Sequence, residues 1–95
     1  MSDAREKTDF QPIPEGYATD AVREIDAKYF RMKSDGKPCL GFVAQEVEPL
    51  IPEGILETNE RKVLDIVPIV GMLWQALKET LKRVEELEKK LLDNE

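Results

Sequence analysis

The chain has 95 residues, of which 41% are hydrophobic and 36% are charged, and its net charge is −6. This length allows one small domain of marginal stability, to which oligomerisation would add buried surface. The acidic balance argues against a nucleic-acid partner, because phosphate contacts need Lys and Arg. The chain has no His and one Cys, so an intramolecular disulfide is excluded, and neither a metal site nor a cofactor is expected.

No stretch of the chain approaches the roughly 18 consecutive apolar residues of a membrane span. The first seven residues are polar or small after the initial Met and lack the apolar core of a signal peptide. We therefore expect synthesis in the cytoplasm and no membrane partner.

The N-terminal third of the chain predicts little regular structure before a single short helix. Residues 1–9 are polar and charged, and residues 10–16 carry two prolines and a glycine, which predicts an extended or turning segment. Residues 17–25 predict a short helix, since apolar side chains recur there at helical spacing. Thr19 or Asp20 is the candidate N-cap.

A β-hairpin is predicted next. Residues 27–33 and 39–44 are its strands, and Asp35-Gly36 is the strongest signal of the turn between them. Cys39 is interpreted as a small buried hydrophobe and not as a nucleophile. Residues 45–48 predict one helical turn, which the prolines that follow would stop.

A second hairpin leads into the C-terminal helix. It spans residues 55–66, with Asn59 and Glu60 at its tip. Asp65 is a good N-cap for the helix, and Pro68 falls in the first helical turn, where its missing N–H costs little. The sequence therefore predicts an α+β fold with a globular part over residues 1–65 and a helix over residues 66–95.

The C-terminal helix carries a heptad pattern typical of a coiled coil. Its a and d positions are apolar except for Thr80, and they are Ile66, Val70, Leu73, Leu77, Thr80, Val84, Leu87 and Leu91. Trp74 and Leu81 fall at e positions and widen the apolar face, so a third helix or the globular part should cover them. We expect a parallel homotrimer whose interface includes Val70, Leu73, Leu77, Leu81, Val84, Leu87 and Leu91.

The charges beside the heptad seam favour parallel pairing. Arg83 at g would face Glu88 at e of a neighbouring chain, and Lys90 and Glu95 repeat the arrangement. The alternative is a helix whose residues 66–81 lie on the small sheet of the same chain.

Three stretches in this order carry a resemblance to a known family. Residues 2–7 are close to a Ser-Asp-x-Arg-x-Lys opening, residues 41–47 to a Gly-Phe-x-Ala-Gln-Glu-Val box, and residues 63–66 read Val-Leu-Asp-Ile before a long helix. Together they resemble the C-terminal intramolecular chaperone domains of phage endosialidases, neck appendages and long tail fibres. The combination spans nearly the whole chain and is specific, whereas each piece alone is not.

The resemblance implies a domain that trimerises at the end of a fibre, aligns the three chains and cuts itself off in one turnover. Ser2 would be the nucleophile and Lys7 the general base, in its neutral form, with Arg5 as a neighbouring cation. Gln45 and Glu46 are candidates for stabilising the oxyanion and anchoring Lys7 or Arg5. They equally fit a structural role in capping a short turn.

The cut would fall just before Ser2, with Met1 an added residue, although cleavage just after Ser2 stays open. The partners implied are two further copies of the chain and the upstream fibre segment, in the cytoplasm of a host bacterium during virion assembly. The absence of His departs from some relatives, and no nucleotide site is carried over. Two alternatives are a structural cap that does not cleave and an adaptor that binds a partner helix through residues 70–91.

Overall fold

The computed structural model describes residues 2–94 and has the predicted α+β fold. In chain order its elements are α1 (Tyr17–Glu24), β1 (Lys28–Arg31), β2 (Pro38–Gly41), α2 (Ala44–Val47), β3 (Ile55–Thr58), β4 (Arg61–Leu64) and α3 (Ile66–Asp93). Short 3-10 turns lie at Ala4–Glu6 and Pro52–Gly54. The radius of gyration is 17.6 Å, well above the roughly 12 Å of a compact domain of this length, because α3 projects from the globular part.

Helix α1 confirms the predicted short helix, but its N-cap is Gly16 and neither Thr19 nor Asp20. Gly16 has a φ of 85°, a conformation that costs glycine little because it has no Cβ. The helix therefore begins ahead of both predicted caps. The Thr19 hydroxyl donates to the Gly16 carbonyl (3.1 Å), and Asp20 pairs with Arg23 on the surface (2.8 Å).

The two predicted hairpins form two separate antiparallel sheets. Strands β1 and β2 are shorter than predicted and pair from Lys28 with Gly41 to Arg31 with Pro38, because Met32 already belongs to the turn, where its N–H donates to the Lys37 carbonyl (3.1 Å).

Strands β3 and β4 pair from Ile55 with Leu64 to Thr58 with Arg61. Asn59 and Glu60 form the tip, with φ of 49° and 61°. Positive φ at both central residues is the geometry of the tight hairpin turn.

The core is small for a domain of this length. Among the described residues, seven apolar side chains are at most 9% exposed, and three of the seven are alanines: Ala18, Ala21, Val47, Ile51, Ile69, Met72 and Ala76. They come from α1, α2, the segment before the second 3-10 turn, and one face of α3. Burial of so few large side chains contributes little hydrophobic free energy, which fits a chain that relies on assembly.

Helix α3 begins as predicted, with the Asp65 carboxylate accepting the Val67 N–H (3.3 Å). Its first turns pack against α1 through Ile69, Met72 and Ala76. From residue 81 to residue 94 every side chain is exposed. The first part of the helix thus packs on its own chain, but on α1 instead of on a sheet, and the face that packs differs from the predicted coiled-coil seam.

Candidate functional site

Ser2 and Lys7 lie on either side of one 3-10 turn at the N-terminus, and both are exposed. Asp3 caps the turn, since its Oδ1 accepts the backbone N–H of Arg5 (2.9 Å). Lys7 ends the turn, with its N–H donating to the Ala4 carbonyl (3.1 Å). The local sequence therefore fixes the backbone between the candidate nucleophile and the candidate base.

The Arg5 guanidinium binds the Asp3 carboxylate, with 2.7 Å between Nη2 and Oδ2. This hydrogen bond lowers the pKa of Asp3 and raises the pKa of Arg5. In the single chain the charge of Arg5 is thus offset by Asp3, two residues away. The role of Arg5 as a cation beside Lys7 stays a prediction.

The box at residues 41–47 joins β2 to α2 and anchors both in the core. Val47 is fully buried and Phe42 packs against the core from its edge. Glu46 points outward, where its Oε2 accepts a hydrogen bond from Lys28 Nζ (2.8 Å). This bond raises the pKa of Lys28. The apolar residues of the box are therefore structural, and the carboxylate ties α2 to β1.

The two candidate motifs are not joined by side-chain hydrogen bonds in the described part of the chain. Among residues 2–94, neither Gln45 nor Glu46 forms a hydrogen bond to Ser2, Arg5 or Lys7. Gln45 is exposed. A catalytic arrangement that unites them would require contacts that the single chain does not show.

Sequence reasoning missed two ion pairs that link α2 to the hairpins. Lys62 on β4 binds Glu48 just after α2, and this hydrogen bond raises the pKa of Lys62. With the pair of Lys28 and Glu46, α2 is linked to both hairpins. The charges themselves are evident in the sequence. However, Lys62 is 14 residues from Glu48 and Lys28 is 18 residues from Glu46, so no local pattern pairs them.

The predicted trimer interface forms a continuous apolar stripe on α3. Its residues are between 44% and 69% exposed in the single chain: Val70, Leu73, Leu77, Leu81, Val84, Leu87 and Leu91. Thr80 does not break the stripe, because its hydroxyl donates to the Ala76 carbonyl (2.8 Å) and is thereby satisfied. Trp74 is 68% exposed beside the stripe.

The charged flanks of the stripe are also exposed. Arg83 lines a depression beside Glu15 and Thr19, and Glu88 and Lys90 follow it on the stretch of α3 in which every side chain is exposed. Glu95, the predicted partner of Lys90, lies outside the described residues. The pairing of these charges between chains stays a prediction.

Within residues 2–94, no three acidic or Cys side chains come together in a way that would hold a metal ion. Over the same residues, none of the helices combines the length and apolar character that crossing a bilayer requires.

Two comparisons with known proteins find relatives of this chain, one with a family over its N-terminal part and one with single proteins over nearly its whole length. Residues 2–56 match the family described as chaperone of endosialidase, which is a peptidase family. The chain is also 32% identical, over 96% of its length, to the long tail fiber protein Gp37 of Enterobacteria phage K3 and to that of Enterobacteria phage T2. It spans 8% and 7% of the length of these relatives. The family match includes Ser2, Lys7 and the box at residues 41–47, and the chain belongs to the chaperone of endosialidase family.

Proposed function

We propose that this chain is an intramolecular chaperone that trimerises, aligns the three chains of a phage tail fibre or spike, and then releases itself by cutting its own N-terminus. Its partners would be two further copies of the chain and the upstream fibre segment. Assembly would take place in the cytoplasm of the host bacterium. The family match and the tail fibre relatives support the chaperone role.

The observation that carries trimerisation is the unpartnered apolar stripe of α3. Eleven of the large hydrophobic side chains exposed among the described residues belong to this one helix. Exposed apolar area of this extent favours association, because burial contributes about 25 cal/mol per Å². The 4-3 spacing of the stripe suits parallel helices, and parallel helices at the fibre end would place the three chains in the same register.

The cleavage reaction can be written with Ser2 and Lys7 alone. Ser2 Oγ attacks the carbonyl carbon of the preceding residue, and neutral Lys7 Nζ takes the hydroxyl proton. Lys7 returns the proton to the Ser2 nitrogen as the peptide C–N bond breaks. Water then hydrolyses the ester, which leaves a carboxylate on the fibre and a free hydroxyl on Ser2.

Cleavage would follow trimerisation. A lysine is a base only when it is neutral, and the neutral form is favoured by burial or by nearby cations. In the single chain Lys7 is exposed and the Arg5 charge is offset by Asp3. A neighbouring chain that covers this segment would supply the missing burial, so an unassembled chain would stay uncut.

The competing function is a structural trimer cap that does not cleave. Ser2 and Lys7 are exposed, and Glu46 of the box hydrogen-bonds to Lys28 instead of to either of them, which favours the cap. Both functions require a trimer, so the first experiment is sedimentation equilibrium of the chain. We expect a mass of about three times 10.9 kDa. A monomer at all concentrations would contradict both functions, and self-release from an upstream fusion then separates the two.

A further inference from the structure

An apolar groove lies between α1 and the first turns of α3 and opens to solvent. Val22 and Ile25 line one side and Ile69, Met72 and Leu73 line the other. Its volume is about 170 Å³. Val22 and Leu73 are exposed, whereas Ile69 and Met72 are buried. We call this feature the α1/α3 groove.

The size of the α1/α3 groove suits one aromatic ring. A dry protein cavity of about 150 Å³ accepts benzene, whereas pockets for small-molecule ligands measure about 300–1,000 Å³. The lining side chains are apolar, so nothing in the groove would orient a polar ligand. A single large apolar side chain is the occupant that its volume and chemistry fit.

Trp74 is an exposed aromatic side chain close to the α1/α3 groove in sequence, and it is the single Trp of the chain. It follows Ile69, a wall of the groove, by five residues. At about 100° per residue, the two side chains leave α3 about 140° apart. Trp74 therefore points away from the groove of its own chain, and its indole has no cover there.

Parallel coiled-coil geometry brings Trp74 to the groove of a neighbouring copy. In such a coil a g position faces the e position of the following heptad on the next helix. Ile69 is a g position and Trp74 is the e position that follows it. Because Ile69 lines the groove, the indole of a neighbouring chain in such a coil would reach the groove.

The next layers of the helix agree with this arrangement. Ala76 at g lines a shallow depression beside Thr19 and Val22, and the e position that faces it is Leu81. One heptad later the pair becomes Arg83 and Glu88. The e and g pairs thus change from apolar to charged near residue 81, from which point every described side chain of α3 is exposed.

We propose that Trp74 of each chain docks in the α1/α3 groove of the neighbouring copy, so that each globular core is completed by another chain. The proposal rests on the proposed trimer and adds a specific contact to it. Among residues 2–94, the buried core contains four side chains larger than Ala. An indole buries about 150–250 Å², so docking couples the folding of the globular part to assembly.

The fluorescence of Trp74 tests this contact directly on the full chain. Acrylamide quenching and the emission maximum are recorded over a dilution series, and sedimentation reports the mass at each concentration. We expect a blue-shifted emission and a several-fold lower quenching constant in the trimer than in the dissociated chain. A trimer whose Trp74 is quenched as readily as in the dissociated chain overturns the docking alone. A chain that is monomeric throughout overturns both the docking and the trimer.

Two valines provide a matched pair of variants. Val22 lines the α1/α3 groove, Val63 lies on β4, and both are 46% exposed, so a charge at either position leaves the folded core of one chain intact. We expect Val22→Glu to raise the quenching constant several-fold at a concentration where Val63→Glu behaves as the wild type. Equal quenching constants for the two variants would overturn the docking, and circular dichroism checks that both are folded.

Discussion

Glu79 Oε1 accepts a hydrogen bond of 2.8 Å from the backbone N–H of Gly16, 63 residues earlier in the chain. The contact joins the middle of α3 to the left-handed residue that starts α1. It satisfies a helix N-terminal donor at a place where no side chain of α1 caps the helix. Helix α3 thus contacts α1 in two ways, through this hydrogen bond at the N-terminus of α1 and through the apolar core.

Replacement of Glu79 by Ala should destabilise the globular part by about 1–3 kcal/mol, because the Gly16 N–H loses its acceptor in a half-buried place. Glu79→Gln keeps an acceptor oxygen and should lose less. Urea unfolding at a fixed chain concentration measures both. Equal midpoints for Glu79→Ala and the wild type would show that the contact contributes nothing.

Gly54→Ala should destabilise the chain by about 1–3 kcal/mol through overpacking. A Cβ at Gly54 would lie 2.9 Å from Cγ1 of Ile69, and Ile69 is held in the core. Thermal unfolding at one chain concentration gives the shift.

Gly71→Ala is the control for this substitution. Nothing lies within 4 Å of a Cβ at this exposed helical position, so the change should stabilise α3 by about 0.5–1 kcal/mol. Shifts of the same sign for the two variants would contradict the packing of Gly54 against Ile69.

The pair of Lys28 and Glu46 should make stability fall at alkaline pH. The hydrogen bond that Lys28 Nζ donates to the Glu46 carboxylate, helped by the charge of Asp26, raises the pKa of Lys28. A raised folded-state pKa gives stability that is complete below the ordinary lysine value of about 10.4 and is lost as the pH rises through the raised value. The advantage of the wild type over Lys28→Gln in melting temperature should be constant at neutral pH and vanish above the raised pKa. It should be small, since the pair is exposed, and an advantage that grows with pH would be the opposite of this expectation.

Leu87→Asp should abolish the trimer and leave the globular part folded. A charge at a d position would be buried without a partner in the coiled coil, whereas Leu87 is exposed in the single chain and is not part of the globular core. Sedimentation reports the mass. Lys89→Asp, at the outward f position of the same heptad, is the control and should stay trimeric. Leu87→Asp sedimenting like the wild type would refute the seam.

Features that local sequence patterns determine could be predicted from the sequence. Alternation and turn residues gave both hairpins, with Asn59 and Glu60 at the tip of the second. Asp65 caps α3 as expected from its place before a run of helix formers. The heptad spacing predicted an apolar stripe on α3, and the apolar residues of that stripe are exposed in the single chain. Each of these depends on backbone geometry over a few residues.

Features that depend on long-range contacts were not predictable. Thr19 and Asp20 are good N-caps by residue type, yet the N-cap of α1 is Gly16, whose N–H donates to Glu79 in the middle of α3. Glu46 was a candidate for anchoring Lys7 or Arg5 or, equally, for a structural role at a short turn, and in the single chain it binds Lys28. In both cases several polar groups in the sequence were suitable partners, and the tertiary packing determined which of them form the contact.

The most direct test of the account is self-release of this chain from a fusion with its native upstream segment, read by denaturing gel and intact mass. The wild type is compared with Ser2→Ala, with Lys7→Arg, which keeps the charge but cannot be deprotonated, and with Leu87→Asp. We expect only the wild type to release a fragment that begins at Ser2. If the wild type forms trimers but stays uncut, the chain is a structural cap, and the catalytic roles of Ser2 and Lys7 are contradicted.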